Sequence, residues 1–150
     1  MLKGISPLLN ADVLHALRAM GHGDDLILTD INFPADSIAR QTRLGRLLHI
    51  GNVSAAEAAA AILSLYPLDQ FVDDAAGYMA PAEGTGKTLP VHDEVQRVVD
   101  KAEGKPVPLV GIERFAFYER AKHAYVIIQT GEGRGYANFA FRKGVIVFGG

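Results

Sequence analysis

Apolar positions along the chain fall into two rhythms. Short unbroken runs at Leu26-Ile27-Leu28-Thr29, Leu47-Leu48-His49-Ile50, Leu109-Val110-Gly111-Ile112, Ala124 to Thr130 and Val145-Ile146-Val147-Phe148 predict strands. Between them the apolar residues recur at helical spacing. Val13, Leu14, Leu17 and Met20 follow an Asn10 N-cap, and Gly21 takes the place of a C-cap glycine. Ser54-Ala55-Ala56-Glu57 is a capping box that opens an alanine-rich helix to about Tyr66, stopped by Pro67. Val95, Val98, Val99 and Ala102 predict a helix over 91–102, and Glu113 to Lys122 reads as another. Phe71-Val72 and Gly77-Tyr78-Met79 suggest strand pieces around an Asp73-Asp74 turn. Phe33-Pro34-Ala35 begins a loop, and Pro81 to Pro90 reads as an exposed one. The glycine-rich turn Gly131 to Gly135 predicts a hairpin between Ala124–Thr130 and Tyr136–Arg142. Strands and helices alternate without repeats or an internal boundary, so one α/β domain over 1–150 is expected.

Composition narrows the function classes. The chain has 150 residues, enough for one domain with a sizeable core. A net charge of -2 argues against a nucleic-acid footprint, which is normally a basic stripe. There is no cysteine, which excludes disulfides, thiolate catalysis and cysteine-ligated metals. No leader pattern and no run approaching the ~18 apolar residues of a membrane span is visible, so a cytoplasmic protein is expected. Gly84-Thr85-Gly86-Lys87-Thr88 resembles the end of a phosphate-binding P-loop, but Pro81 stands where glycine is required and Leu89-Pro90 follows instead of a helix. The five histidines lack metal-ligand spacing, the Gly131–Gly135 glycines lack dinucleotide spacing, and there is no Gly-x-Ser-x-Gly elbow. No metal and no cofactor is expected.

The candidate chemistry lies elsewhere. Met20-Gly21-His22-Gly23-Asp24 places a histidine between glycines, on a turn leading into a strand that ends at Asp30. Unperturbed histidine titrates near pH 6.5 and exchanges protons at neutral pH. A surface turn histidine is the plain alternative. Asp30 alone favours an Asx turn, but beside His22 it would orient the imidazole or grip a hydroxyl. Arg114 and Tyr118 share a helix face at i,i+4, with Phe117 and Ala121 close by. That suits a polyol with one apolar side, and equally an ordinary amphipathic helix with a snorkelling arginine. Tyr136 and Asn138 alternate on a predicted strand and point to one face.

Taken together these segments resemble the L-fucose mutarotase/D-ribose pyranase family. The match rests on Leu2-Lys3-Gly4-Ile5-Ser6-Pro7-Leu8-Leu9, the Met20–Asp24 turn, Asp30 with Phe33-Pro34, Arg114-Phe115-Ala116-Phe117-Tyr118-Glu119-Arg120-Ala121, Thr130-Gly131-Glu132 and Tyr136-Ala137-Asn138. The arginine-to-arginine segment is closer to the fucose branch. The resemblance implies a sandwich-like, ring-forming α/β fold and a sugar isomerase that interconverts anomers by acid–base ring opening. It makes His22 the general acid, with Tyr118 and Asp69 as further catalytic groups. Asp30, Asp69, Met79, Arg114, Tyr118, Tyr136 and Asn138 would bind the sugar, and Phe117 and Met79 would meet the fucose methyl. It also implies a decamer of two five-membered rings with sites near subunit contacts. The alternatives are a D-ribose pyranase, a non-catalytic sugar-binding accessory of a transport or catabolic system, and a ring-forming scaffold.

Overall fold

In the computed structural model, which describes residues 1–149, the two most apolar runs lie side by side at the centre of one sheet. Strand β1 is Asp25–Thr29 and β5 is Val126–Thr130, paired in parallel with Leu26 opposite Val126 and Leu28 opposite Ile128. They sit there because they are apolar on both faces and can be buried on both. Four further strands, β2 (Leu48–Ile50), β3 (Ala76–Met79), β4 (Val110–Ile112) and β6 (Phe139–Arg142), complete a six-stranded sheet of order β2-β5-β1-β6-β3-β4. Only β6 runs against its neighbours, among these strands.

Side chains alternate across the sheet and feed two cores. Leu26, Leu28, Val126, Ile128, Phe139 and Phe141 pack on the larger one, beneath helices α1 (Ala11–Ala19), α3 (Ala55–Leu63) and α4 (Pro90–Glu103). Ile27, Ile127 and Ala140 face the smaller one, where α2 (Ala35–Ala39) and α5 (Arg114–Lys122) contribute Ile38, Phe117 and Ala121. The helices begin where their caps stand: Asn10 Oδ1 accepts from Val13 N–H at 3.0 Å, and Ser54 Oγ from Glu57 N–H at 3.1 Å. The architecture is an α/β domain of three layers, helices on both faces of a mixed sheet.

Several sequence expectations change. No hairpin joins β5 and β6, because β1 lies between them. Residues 131–138 are long enough to step across two strand spacings of about 4.8 Å each, and β6 thereby fills the open edge of β1. Val145 to Phe148 form no strand and are exposed. They leave the end of β6, both of whose edges are already taken by β1 and β3. Phe71-Val72 is a bend instead of a strand, since the Asp69 carboxylate accepts from Phe71 N–H at 3.0 Å and turns the chain. Gly21 is not a left-handed cap. Met20 ends α1 in an extended conformation, and the Lys143 amine bonds the carbonyls of Leu17 (2.7 Å) and Met20 (2.5 Å), so no glycine cap is needed. The left-handed glycine of this turn is Gly23, at φ 88°. The segment after Phe33 holds the short helix α2 where a loop was expected. A helix does follow the Gly84–Thr88 stretch, with Pro90 at its first position, so Pro81 alone separates that stretch from the phosphate-loop pattern.

Candidate active site

The candidate residues divide between the two ends of the sheet. At the carboxyl end of β1, Asp30 is 2% exposed and holds three backbone N–H groups. Its Oδ1 accepts from Asn32 and Phe33, both at 2.9 Å, and its Oδ2 from Ala137 at 3.2 Å. The Asx turn expected of a lone aspartate is therefore present, and the carboxylate also ties two distant segments together. Asp30 N–H donates to Asn138 Oδ1 at 3.0 Å. Asn138 Nδ2 rests 3.8 Å from Met79 Sδ, which places buried Met79 behind Asn138. Tyr136 does not share a strand face with Asn138, since β6 starts at Phe139 and Tyr136 is left-handed at φ 59°.

Arg114 and Tyr118 extend the same end from α5. Arg114 Nε donates to Tyr118 Oη at 3.1 Å, the i,i+4 contact the spacing predicts. The guanidinium lies 5.5 Å from the Phe115 ring centre and 5.6 Å from that of Tyr118. A cavity of about 250 Å³ opens here, lined by Pro81, Ala82, Thr85, Arg114, Phe115 and Tyr136 among others. Its apolar wall is Phe115 with Pro81 and Ala82. Phe117 is 0% exposed, locked in the smaller core edge-on to Phe33, so it offers no surface to a sugar methyl.

His22 stands at the other end. Its turn precedes β1, and Gly23 N–H donates to the Lys143 carbonyl beyond the end of β6. The five residues of β1 separate it from Asp30, about 17 Å of strand. Within one chain Asp30 therefore does not orient His22. Asp69 does: His22 Nε2 lies 3.1 Å from Asp69 Oδ1, with Asp69 almost buried and the imidazole 46% exposed. The Phe71 N–H, and after it the His22 contact, hold the Asp69 carboxyl below its ordinary range. The Phe71 ring flanks the imidazole at 5.6 Å. Of the residues named from sequence, then, His22 and Asp69 form one group. Asp30, Met79, Arg114, Tyr118, Tyr136 and Asn138 form another.

Sequence reasoning passed over the clamp that holds the second group. Glu132, 6% exposed, accepts from Ala55 N–H at the start of α3 and pairs with Arg134, which forks onto Glu94 of α4 at 2.6 and 2.9 Å. The only sequence signal was an acid two residues before a base within a glycine-rich turn. The Arg134 guanidinium draws Glu132 down to about 2 from an ordinary 4.5. A carboxyl depressed on folding stabilises the protein above its unfolded value, and that contribution fades as pH falls from 4.5 towards 2. Glu132→Gln is therefore expected to cost about 1–2 kcal/mol at pH 7, solvent around half-exposed Arg134 limiting the figure. Urea midpoints of the two proteins should converge below pH 4.5, and a constant difference down to pH 3 would show that the ion pair is not the source.

No group of residues able to hold a metal ion occurs among the described residues, and none of their helices is long and apolar enough to cross a membrane. The human fucose mutarotase is 39% identical over 148 residues, covering 97% of this chain and 94% of its own. The L-fucose mutarotase of Glaesserella parasuis is 36% identical over 145 residues, covering 97% and 96%. Among solved structures, the fucose mutarotase of Streptococcus pneumoniae in complex with L-fucose superposes with a TM-score of 0.86 at 34% identity, covering 97% of this chain and all of that one. The solved protein Atu2016 does so with a TM-score of 0.95 at 58% identity, covering 98% and 97%. The pattern of the RbsD / FucU transport protein family matches residues 3–146. Over nearly its whole length this chain belongs to the RbsD / FucU family.

Proposed function

We propose that the protein is an isomerase that interconverts the α and β anomers of L-fucose. The observation that carries this reading is the His22–Asp69 pair, a half-exposed imidazole steadied by a carboxylate. A protein that only binds sugar has no need of such a group. The reaction needs proton transfers alone. An acid delivers a proton to the ring oxygen, a base removes one from the anomeric hydroxyl, and the C1–O bond opens to the aldehyde. After rotation about C1–C2 the reverse steps close the ring on the other face. With Nε2 on Asp69, the other ring nitrogen of His22 serves as the acid. Asp30, Tyr136, Asn138 and Arg114 supply hydrogen bonds to the sugar hydroxyls, Tyr118 steadies Arg114, and Phe115 with Pro81 offers apolar surface to the methyl. Positioning adds to what one acid–base group provides.

His22 and the Asp30 group lie too far apart in one chain to touch one monosaccharide. The working site therefore spans two copies, the His22 turn of one facing the Asp30–Arg114 end of another. Exposed Ile146, Val147 and Phe148 suit such an association. Ile146 and Phe148 border a cavity of about 660 Å³ that reaches Lys143, which anchors the His22 turn. The assembly is a cytoplasmic ring oligomer, a decamer of two pentamers.

Anomer exchange measured at equilibrium by NMR, with L-fucose and D-ribose in parallel, tests the activity. Faster exchange of ribose would assign the chain to ribose instead. Mixing tests the shared site. His22→Ala and Arg114→Ala alter exposed side chains, and each alone should be nearly inactive. Refolded together in equal amounts, they should regain activity at roughly one quarter of the sites, those that combine two native halves. No recovery in mixed oligomers would place both halves in one chain and overturn the shared site.

A further inference from the structure

The Tyr136 turn directly, and the 81–88 loop through Tyr78, are tied to one side chain. His92, in the first turn of α4, is 1% exposed. Its Nδ1 lies 2.9 Å from the Leu89 N–H, a donor, and its Nε2 lies 2.8 Å from the Tyr136 carbonyl, an acceptor. Only a neutral ring carrying its proton on Nε2 satisfies both partners. The Tyr78 ring lies over it at 4.4 Å and Phe139 closes one edge at 5.9 Å. Tyr78 Oη in turn reaches the carbonyls of Thr85 (2.9 Å) and Lys87 (3.0 Å), which seats the loop. Gly111 is required beneath it, because a Cβ there would run into the Thr85 carbonyl.

What His92 holds is the strained start of the sugar-binding segment. Tyr136 occupies the left-handed region, which side chains other than glycine avoid. The next two residues make the contacts with Asp30, Ala137 through its N–H and Asn138 through its side chain. Strain of this kind persists only where surrounding contacts over-determine it, and the His92 bond is the contact recorded for the Tyr136 carbonyl.

We infer that His92 is a positioning residue of the sugar site: its Nε2–H fixes the Tyr136 carbonyl and so aims Tyr136, Ala137 and Asn138 at Asp30. The inference rests on the mutarotase reading above and assigns to this residue, and through Tyr78 to the 81–88 loop, the shaping of that pocket. Two substitutions separate its two nitrogens. His92→Asn keeps an acceptor near Leu89 and loses the donor to Tyr136. His92→Gln keeps a donor at the Nε2 position and loses the cap.

Exchange of L-fucose anomers in His92→Asn is expected to fall about tenfold, the loss of one buried hydrogen bond expressed in rate. His92→Gln should stay within about threefold of the parent although its helix cap is gone. A purely structural histidine would instead give losses that follow thermal stability in both variants, and that result overturns the inference. Nitrogen-15 NMR of the parent should show the His92 proton on Nε2, and a proton on Nδ1 would also overturn it. Failure of the mutarotase reading is seen separately, as absent exchange in the parent. In that case the Tyr136 carbonyl-carbon resonance still decides, shifting in His92→Asn and not in His92→Gln if the bond sets the turn.

Discussion

Replacing His22 by alanine is expected to lower anomer exchange of L-fucose by about 10²-fold or more while leaving the fold in place. The magnitude is that of one lost acid–base group. The fold should survive because the imidazole is half-exposed and the one hydrogen bond recorded for it is that to Asp69, which keeps the Phe71 N–H as a partner. Gly23, whose positive φ shapes the turn, and Lys143, whose amine closes α1, are untouched. Exchange spectroscopy on the equilibrium anomer mixture reads the rate, and circular dichroism reads the fold. Undiminished exchange in a folded His22→Ala protein would remove His22 from the chemistry.

The second large effect belongs to Asp30, and here stability and activity fall together. Asp30→Ala strips acceptors from the N–H groups of Asn32, Phe33 and Ala137 at a site that is 2% exposed. Each buried donor left without a partner costs about 1–3 kcal/mol. The two buried donors among them, those of Phe33 and Ala137, amount to roughly 2–6 kcal/mol, against a total stability of about 5–15 kcal/mol for an ordinary domain. The variant should unfold at much lower urea and show no exchange. Asp30→Asn keeps one acceptor oxygen for the Asx turn but sets an amide against the Ala137 N–H. It should fold with a smaller loss and remain nearly inactive. If Asp30→Ala unfolds within about 1 kcal/mol of the parent, the carboxylate does not carry the three backbone bonds.

The contrast between these residues shows where sequence reading stops. His22 was legible because glycine on both sides marks a turn and histidine is the residue type best suited to acid–base exchange. Asp69 was named by family resemblance alone, and its pairing with His22 was not legible, because it lies 47 residues away and is brought there by the Leu68–Lys143 bridge beside β6. Asp30 was legible as an Asx turn from its neighbours. That its carboxylate also receives the Ala137 N–H depends on where β6 inserts, a contact across 107 residues. The Arg114–Tyr118 pair needed only helical spacing. The apolar wall beside it was misassigned to Phe117, because periodicity places residues on a helix face without saying which face is covered. Helix α5 buries Phe117 and leaves Phe115 66% exposed.

The chain's own pattern of residues thus determined what is local. It determined the strands buried on both faces, the helices set by Asn10 and Ser54, the histidine turn and the i,i+4 pair, since each depends on propensity, capping or periodicity within about a dozen residues. Its motifs also carried the family. Tertiary structure decided everything that depends on pairing across the chain: the insertion of β6 between β1 and β3, the left-handed Tyr136 held from α4, and the separation of His22 from Asp30 by the length of β1. The physical reason lies in the edges of β1. Backbone groups along a buried strand must be hydrogen-bonded on both sides, and which distant segment satisfies them is settled by the global packing of two cores, about which neighbouring residues carry no signal.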